Sequence, residues 1–520
     1  MSPNAELAGA TIGHLRGLGV RDFVVCAGAR NVPLVATLLE ARESSGIRVW
    51  HHFDERTAAF FALGMAKRNG EAVAVLTTSG TAAAELLPAT VEAYYSGVPL
   101  VLVTADRPES FRGSGAPQAI EQVGILEPYA PVSLDLKAPL ELSEVVKWDR
   151  SEPLHLNVCF EEPGEEDRCL ALPEIALPSQ ATSEQAHSDL SLVAFVAKVE
   201  GLVVLLGELP EDWRDPVENL LVRLGVPVWA EATSGLRECD PLGPQLLRLE
   251  RDVSRFDPQR ILRIGGVPSL RFWRDLEELS HVEVLSVTRR PFSGLARSSR
   301  LLTVDSFPDL PEIAHHGDPV EEGGYAGLEF NRFLEQHPRS EAAMVWELSK
   351  RIPDEALVFL GNSLPIREWN LAATVERPHE SCFANRGANG IDGEIATFLG
   401  MGIGAEESWG IFGDLTALYD LNAPALLSQL GEGRRRIVIL NNGGGRIFSR
   451  LPSMRGLAND EKVVSENRHE FQFGAWAEMW GMDYLSWKAG DPMPDVGGDA
   501  VVIEMLLDEE ASEAFWGEMR

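Results

Sequence analysis

The sequence predicts an α/β protein of three domains, each a mostly parallel sheet flanked by helices. Three observations carry that expectation. Strand-length apolar runs alternate with helical spacing through the first third of the chain and again through the last, as parallel strands joined by crossover helices require. The alternation breaks twice: at Glu161 to about Asp189, where proline, serine and acidic residues lack any period, and at Pro308–Ser340, a second connecting region. A chain of 520 residues is also long enough for about three domains. The expected domains span 1–180, 190–325 and 340–520.

Taken in order, Ala5–Leu18 has helical spacing, and Asp22–Cys26 is a short buried strand that runs into the loop Ala27–Pro33. Leu34–Glu43 resumes helix. Ile47–His52 is strand-like and enters HHFDERTAAFF, where Asp54 can cap a helix over Thr57–Lys67. Ala72–Leu76 is a strand, Thr77–Gly97 a loop and helix, and Pro99–Thr104 a strand ending in ADRPES. Leu154–Phe160 is the last strand of this part. A second α/β unit carries strands at Leu202–Leu206, Val226–Trp229, Arg260–Ile264 and Val282–Ser286. The last third places strands at Leu357–Leu360, Trp409–Phe412, Ile437–Leu440 and Asp499–Met505, and its grain resembles that of the first.

The formal net charge of −33 disfavours a nucleic-acid partner or an anionic membrane surface. It also means that arginines gripping anionic ligands must act locally, against the field of the whole chain. The five cysteines, Cys26, Cys159, Cys169, Cys239 and Cys382, are scattered and form no Cys-x-x-Cys. Reduced thiols in a cytoplasmic protein are therefore expected rather than disulfides or a zinc site. The opening residues have no basic start and no long apolar core, and no apolar run reaches the roughly 18 residues of a membrane span.

The densest chemistry lies between Gly413 and Phe448. Asp414 and Asn442 stand 28 residues apart, each just past the carboxyl end of an expected strand. That edge is where open parallel sheets bind ligands. Two oxygen ligands, with Gly443–Gly445 allowing close backbone approach, suit a hard cation bridging a diphosphate, since Mg²⁺ takes oxygen ligands and shares them with phosphates. A Gly-Asp turn alone is ordinary loop chemistry; the pair at this spacing, closed by Asn-Asn-Gly-Gly-Gly, is what points to a cradle.

Four further groups sit in loops after strands. Glu55, in His51-His-Phe-Asp-Glu-Arg56, can be catalytic or can simply complement a helix dipole. Arg30, Arg107 and Arg386 lie in short loops rich in glycine, alanine or proline beside apolar strands, and arginine grips carboxylates through paired hydrogen bonds. Gly361-Asn362-Ser363, with Arg367 one turn on, is either a polar contact site or a helix cap. Thr78–Thr81 opens a helix and can bind an anion or cap it.

These motifs occur together and in order: HFDER, TTSGTAAAELLPATVEA, TADRPES, GAPQAIEQ, GNSLPIR, NRGANGIDG, GDLTALYDLNA and NNGGGRIFSRLP. In that set the chain resembles the MenD family of thiamine-diphosphate enzymes, the 2-succinyl-5-enolpyruvyl-6-hydroxy-3-cyclohexene-1-carboxylate synthases of menaquinone biosynthesis. The likeness covers most of the first and last thirds and is looser in the middle. Gly-Asp…Asn-Asn marks thiamine-diphosphate enzymes generally, whereas GDLxxLYDLN, NRGAxGIDG and NNGGxIFS are far more specific.

The resemblance implies a pyrimidine-binding domain over 1–180, a middle domain of transhydrogenase type over 190–325 and a diphosphate-binding domain over 340–520. It implies a transferase that decarboxylates 2-oxoglutarate and adds the succinyl carbanion to isochorismate in a 1,4 sense, with thiamine diphosphate and Mg²⁺ (or Mn²⁺) as cofactors. Glu55 would face N1′ of the aminopyrimidine. Asp414, Asn442 and the Gly444 carbonyl would hold the metal, with Gly413 and Leu415 flanking the cradle and Ile391 beneath the bent cofactor. Arg30, Arg107, Gln118, Asn362, Ser363, Arg367 and Arg386 match polar substrate-contacting positions, and Ile447, Phe448 and Leu451 match the apolar wall. Both substrates carry two carboxylates, which accounts for several arginines. A homodimer or homotetramer is implied, with Glu55 of one subunit facing the Asp414 cradle of another.

The chain departs from the family pattern at three places. The usual Pro-Gly-Ser-Arg-Ser loop reads Ala27-Gly-Ala-Arg30-Asn31, Pro117 replaces the asparagine before Gln118, and Arg271 stands at a middle-domain lysine. These changes bear on the acceptor more than on the cofactor. The rival readings are another thiamine-diphosphate carboligase or decarboxylase of acetolactate-synthase type, which would not need this many arginines, and a non-catalytic diphosphate-binding regulator, which would not need Glu55. A dehydrogenase of Rossmann type lacks its G-x-G-x-x-G after the first strand.

Overall fold

A computed structural model describes residues 2–167, 169, 171–175, 190–310, 323–379, 381–450, 454 and 456–519. The first sheet has six strands: β1 (Asp22–Val25), β2 (Arg48–His51), β3 (Val73–Thr77), β4 (Leu100–Asp106), β5 (Val132–Leu136) and β6 (Leu154–Cys159). Their order is β2-β1-β3-β4-β6-β5. The second sheet, β7 (Leu202–Leu206), β8 (Val228–Ala230), β9 (Arg260–Ile264), β10 (Glu283–Thr288) and β11 (Arg300–Thr303), runs β11-β10-β9-β7-β8. The third comprises β12 (Leu357–Leu360), β13 (Cys382–Phe383), β14 (Glu407–Gly413), β15 (Arg434–Asn441), β16 (Asp483–Lys488) and β17 (Ala500–Leu506), in the order β13-β12-β14-β15-β17-β16. Every strand pairing in the three sheets is parallel. The α/β class of helix-flanked parallel sheets is thus the architecture found.

Central strands are buried from end to end, β3 and β4 in the first sheet and β7 in the second, as parallel strands covered on both faces must be. Four strands were not expected from the sequence: β5, β11, β13 and β16. Each is an edge strand. An edge strand needs no continuous apolar run, and β5 reads Val-Ser-Leu-Asp-Leu with only Leu136 buried. The second connecting region contains a helix at Gly323–Gln336, so Pro308–Ser340 is not all linker; residues 311–322 of it lie outside the described part. So do residues 176–189 of the first linker.

By contact the chain groups into two compact units. The first is Met1–Thr182 with Gly387–Gly404 and Leu418–Glu432; the second is Ser183–Arg386 with Ala405–Ala417 and Gly433–Arg520. The first unit therefore gathers a helix from the last third of the sequence, Glu394–Met401, onto the helix Glu55–Asn69. Two glycines make that packing possible. A Cβ on Gly64 would stand 2.1 Å from the Thr397 carbonyl oxygen, and one on Gly400 would stand 2.2 Å from that of Phe61.

Candidate active site

In the first unit, Glu55 is the first residue of a helix that starts where β2 ends. Asp54 caps it as expected, accepting the Thr57 N–H at 2.8 Å. Glu55 is half-buried. Burial pushes its carboxyl above the ordinary range; its own backbone N–H works the other way, while the Asp54 and Glu85 carboxylates push it further up. A carboxyl poised to exchange a proton needs such an environment.

The start of this helix is held by a segment from far along the chain. Asn422 donates to Asp54 Oδ2 at 2.8 Å and accepts from the Thr57 hydroxyl at 2.8 Å. Arg56 donates to the Tyr419 carbonyl and lies 3.8 Å from Asp420. Asp420 is fully buried, its carboxyl pushed up to about 6 by that burial. It accepts the N–H groups of Gly393 and Ile395, both at 2.9 Å. Glu92, also buried, accepts those of Gly387 and Ala388 at 2.8 and 2.7 Å. Two buried carboxylates thus clamp the ends of the loop that carries Ile391, which is half-buried.

The other candidates of this unit are spread over its loops. Arg30 is buried and donates to the carbonyls of Phe160 and Glu161 and to the exposed Glu162 carboxylate. Arg107 follows β4, with its guanidinium 5.2 Å from the Phe111 ring centroid. Gln118 has φ of 57°, a left-handed backbone unusual for a side chain of this kind. Its Cα would lie 3.2 Å from a Cβ on Gly80. Gly80 precedes the short helix Thr81–Ala84 with no side-chain cap, so Thr78–Thr81 does not act as a hydroxyl cap.

In the second unit the Asp414 cradle is assembled from β14, β15 and the turn after β15. Asp414 is buried, and Gly413 is the last residue of β14. Asp414 Oδ1 accepts the Leu415 N–H at 2.6 Å, and Oδ2 accepts those of Asn442 at 3.1 Å and Gly444 at 3.0 Å. Burial raises its carboxyl, opposed by the Gly444 N–H and by His469. Gly443 and Gly444 have φ of 75° and 132°. A Cβ on Gly444 would lie 2.5 Å from the Glu466 carbonyl oxygen, so only glycine passes there. The donor set of carboxylate, side-chain amide and backbone carbonyl oxygens fits a hard divalent cation.

Ser363 and Arg386 also belong to this unit. Ser363 begins the helix Leu364–Ala372 at φ 69° and ψ −121° without a side-chain cap bond, so the capping alternative fails and a strained residue remains at a candidate site. Arg386 donates to Asn362 Oδ1 at 2.8 Å, and Asn362 donates to the Asn385 carbonyl at 2.7 Å. Arg367 is exposed and donates to the Ser363 carbonyl. Ile447 is half-buried and Phe448 exposed; Leu451 lies outside the described residues. In the middle sheet Arg271 is exposed at the start of a short helix.

Residues 6–125 match the model of the thiamine pyrophosphate enzyme N-terminal TPP binding domain. The chain is 42% identical to the 2-succinyl-5-enolpyruvyl-6-hydroxy-3-cyclohexene-1-carboxylate synthase of Akkermansia muciniphila, over 95% of each chain. It is 39% identical to that of Bdellovibrio bacteriovorus over 99% of this chain and 98% of the other. The chain belongs to this synthase family. The same name is carried by a Chloroflexus aurantiacus protein, 35% identical over 90% of this chain and 86% of the other.

For a member of the synthase family, the sequence overlooked several residues that build the site. Glu92, Asp420 and Asn422 lie inside the motifs TTSGTAAAELLPATVEA and GDLTALYDLNA, where spacing along the chain gives them no role. Glu504 is a charged residue in an otherwise apolar strand, which is the signal for a buried polar anchor. It accepts from Asn441 at 2.6 Å, the Phe473 N–H at 3.0 Å and the Tyr484 hydroxyl at 2.7 Å, fixing the residue before Asn442. Asp106, Asp135 and Cys159 also lie close together, but the Arg112 guanidinium pairs with both aspartates and accounts for the cluster. Among the described residues no helix is long and apolar enough to cross a membrane.

Proposed function

We propose that the protein decarboxylates 2-oxoglutarate and adds the remaining four-carbon unit to isochorismate in a 1,4 sense, giving 2-succinyl-5-enolpyruvyl-6-hydroxy-3-cyclohexene-1-carboxylate for menaquinone biosynthesis. The Asp414 cradle carries this reading: a buried carboxylate oriented by backbone N–H groups, beside Gly444, where a Cβ would lie 2.5 Å from the Glu466 carbonyl oxygen. Thiamine diphosphate, when bound, supplies the electron sink for loss of CO₂. Asp414, Asn442 and the Gly444 carbonyl would hold Mg²⁺ or Mn²⁺ on its diphosphate. Glu55 would hold or release a proton at N1′, the role its raised carboxyl favours.

Domain roles follow the expected spans: pyrimidine-binding at 1–180, middle at 190–325, diphosphate-binding at 340–520. The working form is a cytoplasmic homodimer or homotetramer in which Glu55 of one subunit serves the cradle of another. Ile391 supports the cofactor, flanked by Gly413 and Leu415. Arg30, Arg107, Gln118, Asn362, Ser363, Arg367 and Arg386 receive the substrate carboxylates and oxygens, while Ile447, Phe448 and Leu451 wall the pocket. Arg30 would exchange the solvent-exposed Glu162 carboxylate for one of the substrate's. The test is incubation with thiamine diphosphate, Mg²⁺, 2-oxoglutarate and isochorismate. Release of CO₂ with consumption of isochorismate is expected; CO₂ release that leaves isochorismate untouched would sink the acceptor assignment.

A further inference from the structure

We propose that His469 is a positioning residue of the Asp414 cradle: its Nε2–H donates to the carboxylate and diphosphate oxygens gathered there and so sets Asp414 for the divalent cation. The inference rests on the thiamine-diphosphate reading above and adds to it a residue outside the metal-binding set.

The backbone brings His469 to the cradle. The segment Glu466–His469 lies along the Gly443–Gly445 turn, with the Gly445 N–H donating to the Glu466 carbonyl at 2.6 Å and the His469 N–H to that of Gly443 at 3.2 Å. The missing Cβ of Gly444 is what lets the segment lie this close: that atom would meet the Glu466 and Asn467 carbonyl oxygens at 2.5 and 3.0 Å. Asn467 turns the segment with φ of 49°, a left-handed conformation that asparagine tolerates. Glu466 is itself buried and takes both Arg446 and Arg468, and Arg446 also donates to the Asn442 carbonyl at 3.0 Å, which ties the wall to the cradle turn.

The imidazole is then oriented. Its side chain is 5% exposed and stacks on Phe471 with centroids 5.1 Å apart. Nδ1 accepts the Phe471 N–H at 3.2 Å, so the neutral ring carries its hydrogen on Nε2. Nε2 lies 3.5 Å from Asp414 Oδ2 and makes no hydrogen bond among the described residues. A buried donor left without an acceptor is costly, and this one lies 3.5 Å from the cradle carboxylate. Because Nε2 bears the hydrogen it has no lone pair for the metal. The imidazole acts as a donor to ligand oxygens and leaves the cation its all-oxygen set. Metal-binding carboxylates generally depend on such outer partners, and losing one costs about 10–100-fold in metal affinity.

The experiment titrates Mg²⁺ into the full-length protein at saturating thiamine diphosphate without substrates, following binding by calorimetry or tryptophan fluorescence. His469→Ala should weaken Mg²⁺ by about 10–100-fold, and it should also lower the thermal midpoint of the cofactor-free, metal-free protein, since the Phe471 N–H loses its acceptor. His469→Gln, whose amide N–H can reach the same oxygens, should recover most of the loss. Parent-like Mg²⁺ affinity in His469→Ala overturns the proposal. So does an equal loss of Mg²⁺ affinity in both variants, which would make the ring packing alone. A parent protein that binds no thiamine diphosphate overturns the cofactor reading itself, and the assignment of His469 with it.

Discussion

In the first sheet the strands run β2-β1-β3-β4-β6-β5, and in the third β13-β12-β14-β15-β17-β16, the same order carried out twice. Corresponding strands end in candidate loops in both. After β1 comes Arg30 and after β12 Asn362 and Ser363; after β2 Glu55 and after β13 Arg386; after β4 Arg107 and after β15 Asn442. The third strand of the series separates them. β3 runs into Thr78-Ser-Gly80 with no acid, while β14 runs into Asp414. Parallel sheets of this kind place loops at one edge, by the switch in strand order, and leave the chemistry to the residues in them. Glu55 and Asp414 are both pushed up by burial. Asp414, though, is gripped by three backbone N–H groups and oriented like a ligand. Glu55 is half-exposed among other carboxylates, as a group that trades a proton should be.

The largest effects should fall on the two carboxylates and differ in kind. Asp414→Ala is expected to abolish Mg²⁺-dependent thiamine-diphosphate binding, seen by calorimetry, and turnover with it. Retained binding would remove the cradle from the comparison. Glu55→Gln should keep cofactor binding and lower kcat by about 10²–10⁴-fold, measured as CO₂ release at saturating cofactor. A fully active variant would refute the proton role and make the two edges chemically alike.

The central strands and the Asp414–Asn442 spacing were legible in the sequence because each leaves a local pattern: an apolar run buried on both faces, or oxygen donors beside glycines. The edge strands β5 and β13 leave none, since one side of each strand has no partner and needs no apolar run. The residues that hold the site were hidden for another reason. Glu92 reads as a helix-surface acid, and its partner Gly387 is 295 residues away. Asp420 and Asn422 lie in the same motif as Asp414 yet belong to the other compact unit, bound to the start of the Glu55 helix. Spacing along the chain carries no record of such contacts.

A smaller effect is expected at Glu92. Its carboxylate anchors the Gly387–Ala388 end of the Ile391 loop, and Glu92→Ala leaves the Gly387 N–H without its acceptor, a cost of about 1–3 kcal/mol. The urea midpoint should fall accordingly, and Glu92→Gln, which keeps one acceptor oxygen, should lose less. Equal losses in the two variants would mean that the helix, rather than the loop, depends on this side chain.

The smallest effect tests whether the two units titrate alike. Each contains a histidine that burial pushes down to about 4 from an ordinary value near 6.5: His155 in the first, between the Thr104 and Ser133 hydroxyls, and His379 in the second, its Nε2 3.1 Å from the Ser349 carbonyl. A depressed histidine is neutral in the folded protein at a pH where the unfolded chain has already taken up a proton. Its stabilisation is therefore present above about 6.5 and is lost as pH falls toward about 4. One such group should cost about 1 kcal/mol between pH 6.5 and 5.5. Replacing His155 or His379 by Gln should flatten the acid limb of the urea midpoint by one proton each, and replacing both by two. If only one substitution flattens it, the units differ in how their interiors open to protons. The duplicated strand order would then extend to the backbone and not to the buried polar groups around it.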